Sequence, residues 1–180
     1  MFLCTGIIFC DAQNRISSEN NLSIEIPEVA LLSLKSISSS TINLSVGAAD
    51  EAGLSLDFSN VNKNDIWVNY SSILPGNGIP SRNLKAKISG EIPDGIRLKI
   101  QASGDAGYGG GQTGIPIGEI TLSNIQQTII SGIGSCYTGV GVQKGHQLTY
   151  SLELVDQAQY SSIQDDNYTL TVLFTMSDQN

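Results

Sequence analysis

A thiol and an imidazole are the usual parts of a covalent catalyst, and the chain holds Cys136 and His146 ten positions apart. The thiol would attack as its thiolate, with a histidine in hydrogen-bond reach to take the proton. Spacing along the chain does not establish that reach. The run Gly134-Ser135-Cys136-Tyr137 reads equally as a segment with a buried, inert thiol. Gly109, Gly111 and Gly114 match G-x-G-x-x-G. That motif cradles a pyrophosphate only where it follows a strand and opens a helix. Here it runs into Ile115-Pro116-Ile117-Gly118, which is strand or turn, so no dinucleotide is expected. One histidine and no clustered cysteines give zinc no ligand set. Asn62, Asn64 and Asp65, like Asp165, Asp166 and Asn167, gather oxygens without calcium-loop spacing, and turn chemistry accounts for both groups. No motif singles out a carboxylate pair for glycoside hydrolysis. The expectation is therefore no catalytic residue, no metal and no cofactor, in a protein that is not an enzyme. A secreted hydrolase ranks last among the readings.

Contact chemistry is better represented. Trp67 is the single tryptophan, in a chain with 6% aromatic residues. It lies in Asp65-Ile66-Trp67-Val68-Asn69-Tyr70, where bulky groups fall on both faces of a strand. Such a strand is central, with Trp67 expected as a core anchor. The sharper alternative makes Trp67 and Tyr70 a platform on which a sugar ring stacks.

Elements that would position these groups are legible from period-two alternation. It occurs at Leu22, Ile24 and Ile26; at Ile42, Leu44 and Val46; and at Leu54, Leu56 and Phe58. It recurs at Leu84, Ala86 and Ile88; from Ile96 through Leu98 and Ile100 to Ala102; and from Leu148 through Tyr150 and Leu152 to Leu154. A last set comprises Tyr168, Leu170, Val172, Phe174 and Met176, with Thr169, Thr171 and Thr175 opposite. Each pattern sets one face on a core and one toward water. Residues 29–34 also favour a strand, while residues 103–114 are glycine-rich and are expected to form a loop. No stretch carries a sustained 3.6-residue apolar stripe. The fold class expected is all-β, an antiparallel immunoglobulin-like (Greek-key) sandwich, with residues 13–180 as a single domain.

Composition bounds the partners. The net charge of −8 argues against nucleic acid, which requires clustered Lys and Arg, and against an anionic membrane surface. Charged residues are only 14%, with Ser, Thr, Asn and Gly in their place, as in many exported β proteins. Residues 1–10 read MFLCTGIIFC and precede Asp11-Ala12-Gln13. Residues 1–12 are expected to be part of a secretory signal, cut after Ala12, with the basic start lying upstream. The run is too short to span a membrane, which takes about 20 apolar residues. After that cut Cys136 is left alone and no internal disulfide can form.

The last strand, Tyr168-Thr169-Leu170-Thr171-Val172-Leu173-Phe174-Thr175-Met176, has a Y-x-L-T-V-x-F alternation. It resembles the closing strand of secreted pilin-type subunits, including the spore-coat-U-like subunits of archaic chaperone–usher pili. The likeness covers about the last 15 residues, with support from Leu22-Ser23-Ile24-Glu25-Ile26. It implies an incomplete sandwich, completed first by a chaperone and then by the N-terminal strand of the next subunit. Leu22, Ile24 and Ile26 would be the donor strand, and Tyr168, Leu170, Val172, Phe174 and Met176 part of the receiving fold. The chain departs from that family in lacking a cysteine pair. The leading expectation is a secreted, periplasmic or cell-surface structural subunit, pilin- or adhesin-like, acting by self-assembly or through a chaperone and usher. A non-catalytic carbohydrate-binding module is the alternative.

Overall fold

The structure, a computed structural model, describes residues 20–39, 41–76 and 78–179. The signal-like residues 1–12 lie outside them. The strands are β1 (Val29–Ser36), β2 (Asn62–Ile73), β3 (Arg82–Ser89), β4 (Ile96–Asp105), β5 (Gly110–Pro116), β6 (Ile120–Thr121), β7 (Gln127–Tyr137), β8 (His146–Leu154) and β9 (Thr171–Asp178). One 3-10 turn, Gln157–Ser162, interrupts the last connection. The chain is thus all-β and antiparallel, as the alternation predicts. No helix among the described residues is long and apolar enough to cross a membrane.

The strand order is β6-β4-β8-β2-β7-β3-β9, with β1 added on β2 and β5 on β7. β2 joins two groups of strands. Residues Asn62 to Val68 pair with β8, while Ser71 and Ser72 pair with Tyr137 and Cys136 of β7. Both groups turn apolar faces into one core, which gives the sandwich-like form. That core takes Ile66, Val68 and Tyr70 from β2 and Leu84, Ala86 and Ile88 from β3. Leu98 and Ile100 of β4, Ile130 and Ile133 of β7, and Leu148 and Tyr150 of β8 belong to it as well. Fully burying each large aliphatic group contributes roughly 1.5–3 kcal/mol, so these alternating rows hold the fold.

The structure corrects five local expectations. Leu22, Ile24 and Ile26 form no ladder and stand exposed. The second and third alternating runs are not strands either: in residues 41–60 there is an isolated bridge between Gly47 and Asp57. Ile42 and Leu44 still pack against the core. Alternation reports that one face is covered, but no neighbouring edge is at hand to complete a ladder. The glycine-rich run, by contrast, is largely strand. β4 extends to Asp105 and β5 starts at Gly110, pairing with β7 through a bulge between Gly111 and Thr113. Gly111 has φ +85°, and a Cβ there would fall 2.2 Å from the Ser135 carbonyl oxygen. Glycine is what lets this strand lie against β7.

The fourth correction concerns Tyr168, which stays 42% exposed and outside β9. The β3 register ends with Ser89 opposite Thr171, and Gly90 turns the chain away, so Tyr168 has no ladder partner. The fifth is Trp67. It is half-buried, while Ile66, Val68 and Tyr70 point inward. The core anchor of β2 is Tyr70, and the indole N–H of Trp67 is buried without a partner.

Candidate functional site

Residues 20–28 run ahead of β1 without joining any strand. Leu22, Ile24 and Ile26 are 82%, 77% and 74% exposed. An amphipathic segment normally buries its apolar row, yet among the described residues nothing covers these three alternating side chains. The segment is fixed at its base. Glu28 meets the guanidinium of Arg82, whose Nη1 also donates to the carbonyl oxygens of Val29 and of Ile73 (3.3 Å), and to Ser72 Oγ (3.2 Å). Arg82 Nε donates to Asp178 at 2.9 Å. The Arg82 side chain is 3% exposed. One buried cation therefore clamps the head of β1, the end of β2 and the end of β9. Sequence reasoning missed it, although Arg82 stands two positions before Leu84 and so shares the core-facing parity of Leu84, Ala86 and Ile88.

β9 ends the strand order, and among the described residues no strand pairs with its outer edge. Edges of this kind are normally blunted by bulges, glycines, prolines or charges. β5 is blunted in that way, by its bulge, its glycines and Pro116. β1 carries Lys35. β9 reads TVLFTMSD and pairs with β3 in eight consecutive steps without a bulge, reaching a charge only at Asp178. Val172, Phe174 and Met176, with Leu170 ahead of them, pack on the core yet stay only partly buried. Thr171 and Thr175 face out, and Leu173 is 41% exposed. The core is thus incompletely covered along this strand.

Tyr70 and His146 form a buried polar centre. His146 is fully buried, and its ring stacks on Tyr70 at 5.6 Å between centroids. Nδ1 lies 2.8 Å from the Ser103 carbonyl oxygen, so that nitrogen carries the proton and donates. Nε2 lies 2.7 Å from the Tyr70 hydroxyl, which also contacts the Thr113 carbonyl oxygen. Burial, and then the neighbouring Cys136 and Asp105, push the Tyr70 hydroxyl far above the ordinary phenol range. Buried in this way, Tyr70 offers no face to a sugar. Trp67, half-buried beside Lys35 and Gln147 in the register, offers part of one.

Both ring nitrogens of His146 are thus engaged by Ser103 and Tyr70. The Cys136 thiol is free, buried and pushed up to about 11, by burial first and by the charge of Asp105 second. At pH 8 a thiol of that kind is ionised to roughly one part in a thousand, and the thiolate is the reactive form. In a variant with Cys4 and Cys10 replaced by serine, Ellman's reagent should therefore label Cys136 only after urea unfolding. Rapid stoichiometric labelling of the native protein would show the thiol to be accessible and activated instead.

Two shallow concavities stand out. One, of about 170 Å³, is lined by Ser38, Ser39, Thr41, Asn43, Lys63 and Asp65. The other, of about 220 Å³, lies among Glu91, Asp94, Ser162, Gln164 and Tyr168. Small-molecule pockets usually measure about 300–1,000 Å³, so the extended surfaces carry more of the functional argument than these clefts. Among the described residues, no three His, Cys, Asp or Glu side chains converge as metal ligands. Comparison with protein-family models, curated proteins and solved structures gives no match.

Proposed function

We propose that this chain is an exported, pilin- or adhesin-like structural subunit that joins its neighbours by strand addition. The observation that carries the reading is the unpaired segment with Leu22, Ile24 and Ile26 in solvent, directly ahead of β1. Strand addition needs a donor with alternate side chains to seat and an acceptor with open main-chain groups. Residues 20–28 have the first property, and the outer edge of β9 has the second. The half-buried row of Leu170, Val172, Phe174 and Met176 lies beside that edge. The donor would come from a second copy, with a chaperone and usher as carriers before assembly. An immunoglobulin-like Greek-key order, export and a surface location belong to the same proposal. The composition, poor in charge and rich in hydroxyl and amide side chains, supports them.

The test is the triple substitution Leu22→Lys, Ile24→Lys and Ile26→Lys. These side chains touch little of their own domain, so the variant should keep its circular dichroism spectrum and melting temperature. Concentrated wild-type protein should sediment as oligomers, and the variant as a monomer. A synthetic peptide of residues 20–28 should bind the variant and give backbone shifts along β9. Wild-type protein that stays monomeric at high concentration and ignores the peptide would end the proposal.

A further inference from the structure

A second exposed patch lies where β5, β7 and the connection to β8 meet. Tyr108 is 63% exposed, Tyr137 57% and Val140 80%. Glycines lie against both tyrosines, beside the ring of Tyr137 and the Cβ of Tyr108. A Cβ on Gly110 would stand 3.4 Å from Cε1 of Tyr137, and one on Gly139 would stand 3.3 Å from Cβ of Tyr108. The same Cβ would meet Cδ of Lys144 at 3.1 Å. Lys144 holds its ammonium 5.4 Å from the centre of the Tyr108 ring. Among the described residues no carboxylate pairs with it. Asp105 is an acid on the same turn, three positions before Tyr108. One of its oxygens is buried, and the other accepts from the Gly107 N–H at 3.0 Å.

We infer that this patch binds an acidic saccharide, with the apolar face of a sugar ring stacked on Tyr137 or Tyr108 and its carboxylate drawn to Lys144. Three properties select that occupant. Exposed phenol rings offer flat apolar faces with a polar rim, which suits the amphipathic face of a pyranose. An unpaired cation in a chain of net charge −8 is complementary to an anion, and repulsion from the rest of the surface disfavours polyanions that lack such a contact. The patch is also small: a protein partner engages about 20–30 residues a side, whereas these few side chains match one or two sugar rings. The site is distinct from the segment ahead of β1 and from the edge of β9, and it does not depend on strand addition.

The experiment is an NMR titration of the full chain with a tetrauronate and with the uncharged glucan of the same length. The tetrauronate should shift the ring signals of Tyr108 and Tyr137 and bind more weakly as salt rises. Tyr137→Ala and Tyr108→Ala, both at exposed positions, should each weaken binding about tenfold, the size of one lost aromatic contact. Lys144→Gln should reduce tetrauronate affinity to that of the glucan. No ring shift at about 10 mM, tenfold above a millimolar Kd, would overturn the assignment. Equal affinity for the glucan, or variants that bind like wild type, would do the same. If the tyrosine variants alter self-association and leave sugar titrations flat, the patch belongs to contacts between copies.

Discussion

Arg82→Ala should lower stability by about 3–5 kcal/mol, the cost of breaking a buried charge network from one side. The guanidinium is nearly inaccessible and reaches three strands at once. Its removal leaves the carbonyl oxygens of Val29 and Ile73 and the Ser72 hydroxyl without this donor. It also leaves Glu28 and Asp178 without their shared cation. Both acids are about half exposed, 52% and 41%. Water therefore takes up part of their charge, and the lower end of the range applies. Arg82→Lys should rescue only a fraction, because an ammonium lacks the planar fork that serves several acceptors. Urea unfolding of the three proteins measures the difference. A loss below about 1 kcal/mol, the scale of a surface ion pair, would show that Arg82 is not the clamp described.

The second large effect is expected at His146. Replacing it with alanine empties a fully buried site, takes the donor from the Ser103 carbonyl oxygen and leaves the Tyr70 hydroxyl only the Thr113 carbonyl oxygen. Loss of a buried ring costs about 3–5 kcal/mol, and the lost hydrogen bonds keep the effect near the top of that range. Tyr70→Phe removes only the hydroxyl and should cost about 1–3 kcal/mol. The two substitutions share one network, so the double variant should be less damaging than the sum, with a coupling of about 0.5–3 kcal/mol. Strict additivity in the unfolding energies would mean that the hydrogen bond between them contributes nothing.

The strands of the core were readable because β3, β4 and β8 have one apolar and one polar parity, which fixes the inward face. β2 was harder. Its segment has bulky groups on both parities, so sequence alone does not decide whether Trp67 or Tyr70 turns inward. The decision comes from distant chain. The connection to β8 lies across the Asn69 side, where Asn69 Oδ1 accepts the Gly141 N–H at 3.0 Å. Residues 103–114 misled for the opposite reason. Glycine has no side chain to register a pattern, and the strand there is dictated by contact with β7. The runs at Ile42 and Leu54 show a further limit, since alternation does not reveal whether a neighbouring edge exists. Of the candidate surfaces, the segment at Leu22 was visible as an apolar row, and the structure adds that the row is uncovered. Tyr108 and Tyr137 gave no warning, because each stands among glycines without a repeating partner.

The clamp at Arg82 also sets how the molecule would bear a load. Tension arriving through residues 20–27 enters the domain at Glu28 and Val29. There the guanidinium passes it to Asp178 in β9. β1 is meanwhile zipped to β2 over eight successive residue pairs. The pull therefore meets a crosslink from the head of β1 to the end of β9 before it peels the ladder between β1 and β2.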